Sequence, residues 1–104
     1  MSRKRFVERI LTEAEWRCGA SPVYVAGRWA AKEAVSKAIS ARLLWHDVEI
    51  IAGELGRPFV RLVPTARADA PAVLQAGGLD ASRIHISISH ERGIAAAVAI
   101  WEEV

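Results

Sequence analysis

The stretch from Ser21 to Ile39 constrains the fold more than any other part of the chain. Ser21 offers an N-cap hydroxyl, and Pro22 suits the first helical position, where its missing N–H leaves nothing unsatisfied. From Val23 to Ile39 the run is rich in alanine and, apart from Gly27, holds no residue that breaks a helix. One long helix is therefore predicted. In a chain of 104 residues, 52% hydrophobic and 25% charged, that helix must line a single core, because too little chain remains for a second one. A single domain over 1–104 is expected. No tract is dominated by Gly, Ser, Pro or one sign of charge, which excludes disordered, collagen-like and linker readings.

Two short helices are predicted ahead of the long one. Phe6, Val7, Ile10 and Leu11 recur at i, i+4 spacing within Arg5 to Leu11, and Thr12-Glu13-Ala14-Glu15 has the form of a capping box that opens a second helix. After Arg42 the residues become β-branched and aromatic. Trp45 to Ile51 and Phe59 to Val63 read as neighbouring strands, parted by Gly53 and by Gly56-Arg57-Pro58. Asp69 to Gly77 carries a cap, an early proline and a closing glycine, and predicts a short helix. Ile84, Ile86 and Ile88 alternate with His85, Ser87 and Ser89, and the run from Ile94 to Trp101 follows across His90-Glu91-Arg92-Gly93. That pattern predicts a second hairpin, its first strand half exposed and its second buried. The expected fold class is α+β, an antiparallel sheet packed on a long helix.

Several function classes drop out. The longest stretches without a charge, Cys18 to Gly27 and Ala70 to Leu79, are ten residues each, and the apolar run Ile94 to Trp101 is eight, against the roughly 20 that a bilayer crossing needs. The N-terminal Met-Ser-Arg-Lys-Arg-Phe lacks the apolar core and cleavage site of a secretion signal, so a cytoplasmic location is expected. Cys18 is the one cysteine, which excludes an intrachain disulfide and a cysteine-clustered zinc site; it reads as a buried or incidental thiol. The net charge of +2 is mild but uneven: Arg3, Lys4, Arg5 and Arg9 open the chain with Glu8 the only acid among the first ten residues. Such a face fits an anionic partner as well as it fits solvent. A nucleic acid is not the expected one, because no aromatic-basic interleaving and no helix-turn-helix pattern accompanies the basic residues.

Two constellations could carry chemistry. On the long helix, Arg28, Lys32, Glu33 and Lys37 cluster, with Glu33 and Lys37 one turn apart on a shared face. They fit an ordinary surface ion pair. They also fit a place where a carboxylate holds Mg²⁺ and an ammonium holds phosphate oxygens. On the penultimate strand, His85, Ser87 and Ser89 form a polar face that ends in His90. No sharp Gly-x-Ser-x-Gly turn surrounds either serine, so nucleophilic hydrolysis is not the reading. A solvated sheet face and a set of donors for a phosphate both remain open.

In combination these residues resemble a known family. Arg5-Phe6-Val7-Glu8-Arg9-Ile10-Leu11-Thr12, Ala26-Gly27-Arg28-Trp29-Ala30-Ala31-Lys32-Glu33-Ala34-Val35-Ser36-Lys37-Ala38, Trp45-His46-Asp47-Val48-Glu49-Ile50, Gly56-Arg57-Pro58 and His85-Ile86-Ser87-Ile88-Ser89-His90 resemble, in order and approximate spacing, the holo-acyl-carrier-protein synthase family of phosphopantetheinyl transferases. The resemblance covers essentially the whole chain. It implies an α+β fold assembled as a homotrimer, and transfer of the phosphopantetheine arm of CoA to a serine of acyl carrier protein, of fatty-acid or polyketide synthesis. By the same resemblance Glu33 matches the metal-binding glutamate for Mg²⁺ and Lys37 the lysine near the pyrophosphate, and the two are the expected catalytic pair. Arg28, Gly56, Arg57, Pro58, Ser89 and His90 join Lys37 as the expected CoA-binding set. Arg3, Arg5 and Arg9 correspond to the helix that receives the acidic carrier.

The match has one gap. Family members carry a Gly-x-Asp strand ahead of the basic helix, whose aspartate is a second metal-binding carboxylate, and this sequence contains no such segment; Asp47, Asp69 and Asp80 lie in other contexts. The chain as written is therefore expected to bind CoA with the help of Mg²⁺ but to transfer poorly until that strand is supplied. The alternative is a non-catalytic relative that binds CoA or the carrier.

Overall fold

A computed structural model describes residues 3–75 and 79–102. Three helices come first: α1 (Arg3–Ile10), α2 (Glu13–Cys18) and α3 (Pro22–Ala38). Two antiparallel hairpins follow, β1 (Val48–Ala52) with β2 (Pro58–Leu62), and β3 (Ile84–Glu91) with β4 (Ile94–Trp101). The hairpins form separate two-stranded sheets.

The helix starts follow from their caps. Thr12 and Glu15 close a reciprocal capping box at α2, and the Ser21 hydroxyl accepts from the Tyr24 amide at 3.2 Å with Pro22 just inside α3. Ala31, Val35 and Ile39 along one side of α3 pack against Val48 and Ile50 of β1, Val60 of β2 and Ile84 of β3, all buried. Each of the valine and isoleucine side chains contributes roughly 1.5–3 kcal/mol by leaving water. Val7, Ile10 and Leu11 meet Val25 in a second cluster that seats α1 on the start of α3.

Four expectations need correction. Trp45 to Asp47 is a 3₁₀ turn, not strand, because the Asp47 carboxylate turns back to accept from the Leu44 amide at 2.7 Å and is gripped at both oxygens by Arg67, at 2.9 Å each. In the segment predicted as a helix from Asp69, only Ala72–Leu74 winds among the described residues, as a 3₁₀ turn. Its would-be cap is taken: the Asp69 carboxylate accepts from Arg67 at 3.0 Å. The predicted end at Gly77 lies outside the described residues. The second hairpin turns on two residues rather than four, Arg92 at φ 41° and Gly93 at φ 80°, a pair of positive angles that suits the twist of the flanking strands. Finally, β4 is not buried. Ala95, Ala97, Ala99 and Trp101 face α3, whereas Ile94, Val98 and Ile100 are exposed, because α3 covers one face of this hairpin and nothing among the described residues covers the other.

Cys18 is exposed and points its thiol at the Ala14 carbonyl, an incidental contact. Among the described residues no helix is long and apolar enough to cross a membrane.

Candidate functional site

The long helix sorts its charged residues by face. Arg28 and Lys32 are buried, while Glu33 and Lys37 are exposed on the opposite side. Glu33 and Lys37 make no ion pair with each other, although they stand one turn apart. Glu33 instead opens onto a hollow of about 540 Å³ whose other walls are Ala26, Trp29, Ala30, Trp45 and Ala95. The aromatic side of that hollow is a ladder: Phe6 of α1 stands edge-on to Trp29 at 5.8 Å, and Trp29 edge-on to Trp45 at 6.2 Å.

His90 closes the other end of the same surface. Its Nε2 lies 3.1 Å from the Val23 carbonyl and adjoins a smaller hollow of about 240 Å³ between the start of α3 and the β3–β4 turn. Ala26 and Ala95 line both hollows, so Glu33 and His90 share one continuous face. Gly27 makes this possible, since a Cβ there would stand 2.6 Å from the His90 Nε2 and 3.3 Å from a methyl of Ile88. The glycine that reads as a flaw in the helix is the seat of a histidine.

Arg28 is an unusual group to bury. Its guanidinium lies over the Tyr24 ring, 4.1 Å from the centroid, and its Nε is enclosed with no acceptor. Among the described residues it has no carboxylate partner. Burial raises the pKa of Tyr24, with the Arg28 charge opposing.

Lys32 is the centre of a second network. Its ammonium donates to the Ile10 carbonyl at 2.6 Å, to Glu15 Oε1 at 2.6 Å and to the Trp45 carbonyl at 2.7 Å. Glu15, also fully buried, accepts from the amides of Thr12 and Ile50, each at 2.9 Å. Desolvation pulls the Lys32 pKa down against the Glu15 charge that supports it. Glu49 beside this network accepts from Thr12 Oγ1 and from Arg61; burial pushes its pKa up, and these bonds outweigh burial and leave it lowered.

Other expected site residues lie apart. Gly56 and Arg57 are exposed at the tip of the β1–β2 hairpin, where Pro58 starts β2, and line neither hollow. Ser89 sits with His85 and Ser87 on the outer face of β3, one residue and one face away from His90. Arg5 and Arg9 are exposed on α1, and the Arg3 side chain lies outside the description. Asp47 is engaged by Arg67, and the described residues hold no group of three or more metal-ligating side chains.

The Lys32–Glu15 pair is not legible in the sequence. The capping box already accounts for Glu15, and nothing ties it to a lysine 17 positions on. The aromatic ladder has one faint signal, Phe6, Trp29 and Trp45 each standing near a charged cluster.

Comparison with known proteins follows the same lines. A family model described as the 4′-phosphopantetheinyl transferase superfamily matches residues 1–99. A holo-[acyl-carrier-protein] synthase of Salinispora arenicola is 45% identical over 91% of this chain and 78% of its own length. One from Chlorobaculum parvum is 40% identical over 95% of this chain and 80% of its own. The crystal structure of Helicobacter pylori holo-[acyl-carrier-protein] synthase in complex with coenzyme A superposes with a TM-score of 0.72 at 27% identity, covering 94% of this chain and 82% of that one.

Proposed function

The chain belongs to the 4′-phosphopantetheinyl transferase superfamily, and from that premise we propose that it acts as a holo-acyl-carrier-protein synthase. In this reaction a serine oxygen of acyl carrier protein attacks the phosphorus that bears the pantetheine of CoA. The bond to the bridging oxygen breaks, adenosine 3′,5′-bisphosphate leaves, and the serine proton passes to a base. The observation that carries the reading is the state of Glu33: an exposed carboxylate beside a roomy hollow, with no bond to the lysine one turn away.

One free carboxylate fits Mg²⁺, a cation that keeps several waters and takes the remainder of its shell from substrate phosphates. When bound it supplies neutralisation of the charge that develops on the pyrophosphate oxygens. Glu33 is the residue that holds it, and Lys37, exposed and uncommitted to Glu33, orients those oxygens as a point charge. Arg28, buried without a counter-charge, and His90, seated against Gly27, are donors for the CoA phosphates. Gly56, Arg57, Pro58 and Ser89 line neither hollow of this face within one protomer, which fits a CoA site completed between copies. Assembly as a homotrimer is supported by the exposed Ile94, Val98 and Ile100 on the outer face of β4. The basic α1 is the docking face for the acidic carrier. Both substrates are soluble, which suits a cytoplasmic site of action.

The test is incubation with purified apo-acyl carrier protein, CoA and Mg²⁺, followed by intact mass. A mass gain of one phosphopantetheine with equimolar adenosine 3′,5′-bisphosphate is expected. CoA binding without any gain would favour a non-catalytic relative, and neither binding nor gain would overturn the reading.

A further inference from the structure

A lysine ammonium has three N–H groups, and Lys32 spends all three on oxygens from three different elements: the last carbonyl of α1, a carboxylate of α2 and the carbonyl of Trp45. Stability alone does not call for such a group, because a well-packed apolar side chain commonly serves a core as well as a buried ion pair does. What a methionine cannot do is hold those oxygens at fixed distances from one another. The elements tied by Lys32 include those that build the wall beside Glu33. Phe6 comes from α1, Trp29 from α3 and Trp45 from the 3₁₀ turn, and Lys32 stands next to Glu33 in the same helix.

We propose that Lys32 is a positioning residue: by tying the end of α1 and the Trp45 backbone to α3, it sets the distance between the basic face of α1 and the Glu33 hollow. This rests on the reading that α1 receives the carrier and that transfer occurs beside Glu33. Lys32 touches no substrate. Its loss lets α1 drift, so the carrier serine arrives out of line while the CoA donors on α3 and β3 keep their places.

The test uses the full chain as Lys32→Met and as the double variant Lys32→Met/Glu15→Gln, which leaves no unpaired carboxylate in the core. Hydrogen exchange on the free protein is expected to lose about tenfold or more protection in α1 and in the Trp45–Asp47 turn, with the β3–β4 amides unchanged. Steady-state transfer is expected to give a KM for the carrier raised about tenfold together with a lowered kcat, because the serine is misaligned as well as loosely held, with the KM for CoA unchanged. A residue that merely stabilises the fold would lower all protection alike, and would lower the apparent kcat at unchanged KM values; either pattern overturns the proposal, as does unaltered α1 protection. The wild-type chain gives a reading that needs no variant to fold: in mild denaturant the α1 and Trp45–Asp47 amides should exchange through one shared opening, and separate openings refute the tie. Selective opening of α1 in a protein that transfers nothing would leave the positioning intact and remove the transferase reading instead.

Discussion

Replacing Gly27 by alanine separates the demands of the helix from those of the site. In a helix interior Gly→Ala gains about 1 kcal/mol. Here the new Cβ would stand 2.6 Å from the His90 Nε2, so the imidazole must swing away from α3 and give up its bond to the Val23 carbonyl. That loss costs about 0.5–1.5 kcal/mol, and the Ile88 methyl at 3.3 Å must also yield. The two sides nearly cancel, so a melting temperature within about 5 °C of wild type is expected for a domain this size. CoA affinity should fall about tenfold, the worth of one bond to a charged phosphate group. Calorimetric melting and CoA titration of the same preparation measure both quantities. A variant that melts well above wild type and binds CoA undiminished would mean that the helix takes its propensity gain freely, and that His90 is not held against Gly27.

Glu33→Gln and Lys37→Ala are expected to leave thermal stability within about 0.5 kcal/mol of wild type, since no pair is broken, while abolishing Mg²⁺-supported transfer; activity retained in both would return them to the status of surface charges. For Asp47 and Glu49, burial raises the carboxyl pKa, but the bonds from Arg67 and the Leu44 amide in one, and from Thr12 and Arg61 in the other, outweigh it and leave both lowered. Their stabilisation is therefore complete above the unfolded values near ~4 and lost as pH falls through the lower folded ones. Melts between pH 6 and pH 2 (~2 to ~6 spanning that window) should decline below about 4, and Asp47→Asn should flatten the decline. Val98→Lys is expected to shift the sedimentation coefficient from trimer to monomer without changing far-UV circular dichroism; a wild-type chain that sediments as a monomer at micromolar concentration refutes the assembly.

Local rules make the helical third of the chain legible. Thr12, Ser21 and Pro22 act within a few residues of themselves, so the starts of α2 and α3 can be read directly. Composition misleads where a distant partner intervenes. Nothing near Asp47 announces that Arg67 will clamp it, and the same Arg67 draws Asp69 away from the cap it resembles. Glu33 and Lys37 stand out because spacing on one helix is local. His90 stands out in the sequence only as the end of a polar strand face, and its seat on α3, the missing Cβ of Gly27, joins residues 63 apart. Arg28 stands out as a charge in a cluster, but its enclosure without an acceptor depends on Tyr24 and on packing that no periodicity reveals.

The run from Ile94 to Trp101 carries a different lesson, because its composition reads as a buried strand and its pattern does not. Alanines occupy the inner positions 95, 97 and 99, where the helix comes close enough to admit little else, and the larger Ile94, Val98 and Ile100 point outward at 70%, 61% and 61% exposure. Across the ladder they face Glu91, Ser87 and His85, so the outer surface is an apolar strip beside a polar one. A face meant only for water would not keep its bulkiest apolar side chains there. A face meant to meet copies of itself has reason to: the apolar strip supplies burial that a single chain of this size lacks, and the polar strip fixes the register of the meeting surfaces. Composition cannot separate these cases, since a strand buried by its own helix and one buried by a second copy have the same hydrophobicity; they differ in which face holds the large residues, and that is written in the alternation.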